Sequence, residues 1–162
     1  MQTFTDSEGR GWKLTITIDT VRRVQSLAGV NLVNIAEADE GQQPLMTRLE
    51  LDLVLLVDVI WAIVEPQASA AGITSEQFGQ ALGGEAIASA HDAFWRELAD
   101  FFRQLRRGDQ ARAIERQIDL VQAGATAAEQ RIDAIDIDGL VEQALGSSSG
   151  APPASSASTP AR

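Results

Sequence analysis

The sequence predicts a mostly α-helical protein of the α+β class, with an N-terminal β-hairpin packed on a helical domain, a long C-terminal helix and a disordered tail. Apolar and polar residues alternate over residues 12–18, which is the period of a half-buried strand. Residues 49–66 are apolar at nearly every position, and residues 85–135 carry apolar side chains at helical spacing. From residue 146 the chain consists almost wholly of Ser, Pro, Ala and Gly, which cannot bury a core.

Two short runs predict the hairpin: QTFT at residues 2–5 and WKLTITI at residues 12–18, on either side of a cluster of turn-forming residues. In the second run, one face comprises Trp12, Leu14, Ile16 and Ile18. A lone hairpin is only marginally stable in water, so this face should pack on helices.

Capping residues mark the short helices. Asp19 or Thr20 should cap the first, and Gly29 should end it in the left-handed conformation that glycine adopts without steric penalty. Asn31 should cap a second short turn. Thr74 stands three residues before a glutamine, which is the spacing of a capping box. The helix that Thr74 opens should end at the pair of glycines that follows it.

Residues 49–66 should form the central helix on which the other elements pack. A helix that is apolar nearly all round is expected to be buried on most sides. Pro66 should end it, because proline lacks an N–H and disfavours the helical conformation in the residue before it. The segment is too short and too charged to span a bilayer, which requires about 20 predominantly apolar residues.

Two long helices are predicted after residue 85. The first covers about residues 85–106, and its apolar seam comprises Ile87, His91, Phe94, Leu98, Phe101 and Leu105. Gly108 should break it, and Asp109 should cap the next. The second covers about residues 110–135, and its seam comprises Ile114, Ile118, Val121, Ala125, Ala128, Ile132 and Ile135. Such a heptad-like seam suits packing along another helix.

These two helices should pair antiparallel across Gly108, because short connections favour antiparallel neighbours. The stretch from about residue 128 to residue 145 would then extend beyond its partner, and its apolar residues are Ile132, Ile135, Leu140 and Leu145. Exposed apolar surface marks an interaction site. We therefore expect this overhang to contact another protein, either a second copy of the chain or a client helix.

A basic patch lies where the first long helix ends, at Arg103, Arg106 and Arg107. The helix dipole favours cations at this position, so a solvated helix corner is the simpler interpretation. A docking patch for an acidic partner is the alternative. The predicted organisation thus has three parts: a hairpin and helical core at 1–108, a long helix at 109–145 that packs on the core or a partner, and a disordered tail at 146–162.

The composition narrows the classes of function. The formal net charge is -10, which argues against nucleic acid and anionic membranes as partners, since both attract clustered Lys and Arg. The chain has no Cys, which excludes disulfides, thiolate zinc sites and cysteine catalysis. The N-terminal residues form no apolar segment of the kind found in signal peptides. We expect no cofactor and a cytoplasmic location.

Few residues offer catalytic chemistry. His91 is the only histidine, and its surroundings, HDAFWRE, match no usual metal-ligand spacing. We expect a structural histidine on an apolar helix face. Asp58 lies within the central apolar segment and should occupy an exposed strip or pair with an arginine. A small enzyme that uses Asp58 or Glu65 with His91 is a minor alternative, so we expect no enzymatic activity.

Two stretches carry a family resemblance. LVLLVDVIWAIVEPQASAAGITSEQFGQAL is an apolar helix with a proline-containing loop, followed by a helix that begins T-x-E-x-F; after it comes a helix rich in alanine and aromatic residues that ends in DFF. The opening FTDSEGRGWKLTITIDTVRRVQSLAGVNL resembles the openings of small phage proteins encoded among tail genes. Over roughly residues 3–105, the arrangement resembles the tail assembly chaperones of long-tailed bacteriophages.

This resemblance implies a non-catalytic factor in the host cytoplasm. Such chaperones bind the tape-measure protein, help to recruit tail-tube subunits and leave before the virion matures. A homo-oligomer is a further expectation, from the seam of the last long helix. The principal alternative is a structural component of the phage virion, such as a tail-completion or connector protein, which would remain in the particle.

Overall fold

The computed structural model of the chain describes residues 1–38 and 41–133 and confirms a mostly α-helical fold with a small N-terminal β-hairpin. Its strands and helices, in chain order, are β1 (Gln2–Thr5), β2 (Gly11–Leu14), α1 (Ile18–Ala28), a 3-10 turn (Leu32–Asn34), α2 (Leu45–Leu51), α3 (Leu53–Ala70), α4 (Ser75–Gln80), α5 (Glu85–Gln104) and α6 (Gly108–Asp133). The disordered tail predicted at 146–162 lies outside the described residues.

Met1–Val121 forms one compact unit, and a second unit begins at Gln122. The first unit therefore includes the first half of α6, whereas the sequence places the core at 1–108 and the long helix at 109–145. The reason is that Ala111 and Ile114, on the first turns of α6, are buried in the same core as the hairpin.

The hairpin forms as the sequence predicts, with β1 antiparallel to β2 and Phe4 opposite Trp12. Phe78 of α4 meets both rings edge-on, with centroids 6.5 Å from Phe4 and 5.1 Å from Trp12. The second strand is shorter than the alternating pattern suggests. It ends at Leu14, and Ile18 begins α1 with its side chain exposed.

One carboxylate fixes the turn of the hairpin. The Oδ1 atom of Asp6 accepts hydrogen bonds from the backbone N–H groups of Glu8 (3.0 Å) and Arg10 (2.9 Å). Its Oδ2 atom accepts from Nε of Arg10 (2.7 Å) and Nε1 of Trp12 (2.8 Å). Buried carboxylates require such partners, and this one joins the turn to the Trp12 ring in the core.

Most of the predicted caps are confirmed. Gly29 ends α1 with φ 71°, the side chain of Asn31 accepts from the backbone N–H of Val33, and Thr74 forms a complete capping box with Gln77. The cap of α1 is Thr17, not Asp19 or Thr20, because the helix begins nearer to the strand than the pattern suggests.

The predicted central helix is two helices. The chain breaks at Asp52, whose side chain accepts from the backbone N–H of Leu55 at 3.0 Å and so caps α3. Pro66 does not end α3, which continues to Ala70. A proline within a helix costs about 3 kcal/mol, and contacts beyond it offset this cost. Ala68 is fully buried, and the amide of Gln67 exchanges two hydrogen bonds with the backbone of Lys13.

The middle of α3 is buried on most sides, as the sequence predicts. At 100° per residue, its buried residues span about 240° of the helix circumference; they are Leu56, Val59, Ile60, Ala62, Ile63, Val64 and Ala68. Between residues 56 and 64 only Asp58 is exposed, and Val57 and Trp61 are partly buried and pack against the core. Leu53 and Val54, in the first turn, are the exposed apolar residues of this helix.

The turn between α5 and α6 uses a residue that the sequence does not suggest. Arg106, not Gly108, adopts the left-handed conformation, with φ 58°. The N–H of Arg106 bonds to the carbonyl of Arg103 and that of Arg107 to the carbonyl of Phe102, which is the Schellman pattern at a helix end. Gly108 instead begins α6, because the reversal is already complete.

The predicted pairing of α5 with the following helix is limited. On α6, Ile114 is fully buried and Ile118 partly buried, but Val121 is 38% exposed and Leu120 is 68% exposed. Few contacts join α5 to the first half of α6. The seam therefore packs on the core of the Met1–Val121 unit only over its first turns.

We predict that Asp6→Asn destabilises the fold by about 2 kcal/mol, since hydrogen bonds to a charged group contribute about 1.5–3 kcal/mol. Burial acts to raise the pKa of Asp6, but the hydrogen bonds donated by Trp12 and Arg10, together with the Arg10 charge, hold the pKa below its ordinary value. The stabilisation is therefore present above the unfolded pKa of about 3.9 and is lost as the pH falls through the lower folded value.

Urea denaturation at several pH values measures this effect. The free energy of unfolding of the wild type should fall more steeply below pH about 4 than that of Asp6→Asn. Parallel pH profiles for the two proteins would contradict the role assigned to this carboxylate. Glu8→Gln, an exposed change in the same turn, is the control and should leave the profile as in the wild type.

Candidate protein-binding surface

His91 of α5 occupies a structural position. Its Nε2 atom accepts a hydrogen bond from Nε1 of the fully buried Trp95 (3.0 Å) and lies 3.3 Å from Oε2 of Glu50 on α2. Its Nδ1 atom lies 3.5 Å from Oδ1 of Asp92. An Nε2 atom that accepts from Trp95 carries no proton to donate to Glu50, so the hydrogen bond from Trp95, on the same helix, is the one that fixes the imidazole. Within residues 1–38 and 41–133, no group of three or more His, Asp or Glu side chains could hold a metal ion.

Among the described residues, neither Asp58 nor Glu65 forms a hydrogen bond or an ion pair with His91, so the three side chains do not form one site. Asp58 is exposed on α3, as expected for a carboxylate on an exposed strip, and it forms no ion pair with another described residue. Glu65 is half-buried, and its Oε1 atom accepts from the hydroxyl of Ser69 at 2.7 Å. Both carboxylates lie on the side of α3 that the core leaves free.

The basic residues at the end of α5 are engaged within the chain. Arg103 pairs with Asp100 and Glu115, and the hydrogen bond to Glu115 is the main cause that holds the pKa of its guanidinium above the usual value. Arg107 lies over the Phe102 ring, 5.8 Å from its centroid. Arg106 occupies the turn and is exposed. These contacts favour the interpretation of the three arginines as a solvated helix end. A docking patch for an acidic partner stays a prediction.

The overhang predicted to bind a partner lies beyond what the structure describes. Ile132 is in the last turn of α6, within the second unit, but its side chain is outside the described positions. Ile135, Leu140 and Leu145 are outside the described residues altogether. The expectation that Ile132→Ser with Ile135→Ser weakens association without loss of stability therefore remains a prediction.

A different apolar surface is exposed where α2 meets α3. Leu51 is 75% exposed, Leu53 is 51% exposed and Val54 is 73% exposed. These three residues are neighbours in the chain, separated only by the Asp52 cap. Single exposed leucines are ordinary, but a contiguous apolar patch marks an interaction site. The patch lies at the helix break, on either side of the Asp52 cap.

A groove between α1 and α3 lies two turns further along α3 than Val54. Its volume is about 680 Å³, and it is lined by Asp19, Arg22, Arg23, Ser26, Leu27, Trp61 and Glu65. The partly buried Trp61 packs on Phe78 of the core, with ring centroids 5.4 Å apart. Val54 stands seven residues before Trp61, so the two share a face of α3 two turns apart. We call Leu27, Leu51, Leu53, Val54 and Trp61, with the charged groove residues, the α1–α3 surface.

The sequence contains one signal for this surface. The segment from Leu53 to Ala70 is apolar nearly all round, and Leu53 and Val54 are its apolar residues that the core leaves exposed. By length and composition alone, with 18 residues and a mean hydropathy of 1.6, α3 is long and apolar enough to cross a membrane. The expectation that this segment is too short and too charged is therefore wrong by those criteria. Its packing is that of a core helix with one free side.

We predict that Val54→Asp and Val59→Asp, five positions apart on α3, have opposite outcomes. Val59 is fully buried, so an unpaired carboxylate there should cost more than about 4 kcal/mol and abolish cooperative folding. Val54→Asp should change the free energy of unfolding by less than about 0.5 kcal/mol, as exposed substitutions do. Circular dichroism during thermal unfolding measures both. Equal destabilisation would place Val54 in the core.

Comparisons with protein-family models, with curated proteins and with solved structures find no match to this chain. The exposed apolar side chains of the α1–α3 surface are the guide to a partner, because such a patch marks an interaction site.

Proposed function

We propose that this protein is a non-catalytic tail assembly chaperone of a long-tailed bacteriophage. It acts in the host cytoplasm, binds the tape-measure protein, helps to recruit tail-tube subunits and leaves before the virion matures. The observation that carries the proposal is the exposed apolar patch at Leu51, Leu53 and Val54, together with the groove at Trp61 two turns further along α3.

A long helical client suits this surface. Amphipathic helices bind in apolar grooves through anchors at i, i+3, i+4 and i+7. The groove is bordered by two helices and is open to solvent, so it can accept a helix that continues past either end. Binding would remove Val54 and Leu53 from water at about 25 cal/mol per Å² of apolar surface.

Three titratable groups that are buried or partly buried in the Met1–Val121 unit have structural partners, which supports a binding role over catalysis. Asp6 fixes the hairpin turn, His91 accepts from the indole N–H of Trp95, and Glu97 accepts from the backbone N–H of Ile16 at 3.1 Å. The free carboxylates, Asp58 and Glu65, lie instead beside the apolar α1–α3 surface.

A structural component of the virion is the alternative function. A tail-completion or connector protein would use the same apolar surface for a permanent contact with its neighbour, so the surface does not separate the two functions. Mass spectrometry of purified particles does. The chaperone should be absent from them, and fixed stoichiometric amounts in the particle would favour the structural component.

We predict that Leu53→Asp with Val54→Asp weakens binding to the co-expressed tape-measure protein about tenfold or more, because buried apolar anchors dominate binding energies. Binding is measured by titration of purified proteins at a fixed salt concentration. The matched control is Leu120→Asp, since Leu120 is 68% exposed on α6, and it should change the affinity less than about twofold.

Two outcomes would contradict the proposal. The first is that the wild-type chain fails to bind the tape-measure protein when both are folded. The second is that Leu120→Asp weakens binding as much as the double variant on α3, which would place the client elsewhere. Circular dichroism of each variant shows that it is folded before its affinity is compared.

A further inference from the structure

We propose that the α1–α3 surface binds an amphipathic helix whose two flanks carry opposite charges, with the acidic flank against α1 and the basic flank against α3. This inference rests on the proposed function, because it describes the helical client, and it adds the charge pattern by which that client is recognised. It depends on the charges that the two walls of the groove present.

The α1 wall carries Arg22, Arg23 and Asp19, which leaves one positive charge in excess. Arg22 is exposed and forms no ion pair among the residues that the structure describes. Arg23 pairs with Asp19, and 3.5 Å separates Nη2 of Arg23 from Oδ2 of Asp19. The side chain of Asp19 is 86% exposed. Arg22 is therefore the charge on this wall that is free to meet an incoming side chain.

The α3 wall is acidic. Asp58, Trp61 and Glu65 follow one another at spacings of three and four, which places them on one face of the helix. Trp61 and Glu65 line the groove, and Asp58 is exposed one turn before Trp61. Neither carboxylate has a cationic partner within residues 1–38 and 41–133. This wall thus presents two carboxylates around a central apolar ring.

Apolar anchors lie between and beyond these charges. Leu27 and Trp61 lie in the groove, and Val54 lies two turns before Trp61, about 10.5 Å along the axis. Apolar residues at i and i+7 of a partner helix have the same separation. A partner helix whose apolar stripe lies along the groove, between Leu27 and Trp61, points one flank at each wall, and opposite charges attract while like charges are excluded.

The wall charges also fix the direction of the bound helix. When a helix on a surface is turned end to end, its left and right flanks exchange places. A helix with one acidic and one basic flank therefore satisfies both walls in only one direction. For an assembly factor on a long client, this recognition would align every bound copy in the same sense along the client.

Three designed 21-residue helical peptides test the inference. They share one stripe of leucines and differ in their flanks, which carry Glu on one side and Lys on the other, Lys on both, or Glu on both. Each is titrated into the full chain at 0.15 M salt, where screening has a length of about 8 Å. The peptide with mixed flanks should bind tightest, by about threefold to tenfold, from two exposed charge pairs.

Tryptophan fluorescence reports occupancy of the groove. Trp12 and Trp95 are buried in the core, and only Trp61 lines the groove. The fluorescence change on binding should therefore be lost in Trp61→Phe. A change that persists in this variant would place the peptide elsewhere and overturn the inference.

Charge reversal provides the decisive comparison. Arg22→Glu makes the α1 wall acidic and should transfer the preference to the peptide with Lys on both flanks. Asp58→Lys with Glu65→Lys should transfer it to the peptide with Glu on both flanks. Glu8→Lys with Asp119→Lys is the matched control. Both residues are exposed, the change in net charge equals that of the α3 pair, and the order of the three peptides should be unchanged.

The outcomes separate this inference from the proposed function. The inference is overturned if the charge reversals on the two walls leave the order of the three peptide affinities unchanged. It is also overturned if the peptide with mixed flanks does not bind. Either result can occur while the tape-measure protein still binds. Sedimentation equilibrium of the free chain gives the remaining outcome. If the wild-type chain is a dimer and the double variant Leu53→Asp with Val54→Asp is a monomer, a second copy of the chain occupies the surface. That result would also overturn the inference.

Discussion

The buried face of α3 contacts β2, α1, α2, α4 and α5, so the arrangement of the described core depends on the apolar contacts of this one helix. Val59, Ile60 and Val64 are fully buried on it. The hairpin is held on the same helix in two ways, by Phe78 between Trp12 and Trp61 and by the amide of Gln67 on the backbone of Lys13. Because this face is occupied, the opposite face of α3 is the part of the helix that remains for function.

Much of the fold follows from local sequence patterns. The hairpin, Gly29, Asn31 and the capping box at Thr74 depend on residues close together in the chain, and all four are confirmed. Pro66 within α3 and Arg106 in the turn depend on contacts from elsewhere. Pro66 is tolerated because the last turn of α3, which follows it, is hydrogen-bonded to the hairpin through Gln67. The helix propensities of single residues contain no information about that contact.

The candidate surface is predictable only in part. Asp58 is exposed, as expected, and Leu53 and Val54 are the apolar residues of α3 that the core leaves exposed. The groove itself requires α1 to lie beside α3, and no spacing within either helix predicts that neighbour. The overhang at Ile132 and Ile135 follows from a predicted long pairing of α5 and α6. Within the Met1–Val121 unit, Ile114 of α6 is fully buried in the core and Val121 is 38% exposed.

The central claim is that α3 has one face in the core and one face for a partner, and hydroxyl-radical footprinting with mass spectrometry tests it most directly. In the free chain, Leu53, Val54 and Trp61 should be oxidised readily and Val59 and Ile60 should be protected. In the complex with the tape-measure protein, the first three should become protected while Leu120 stays reactive. Protection of Leu120 with unchanged oxidation of Leu53, Val54 and Trp61 would contradict the claim.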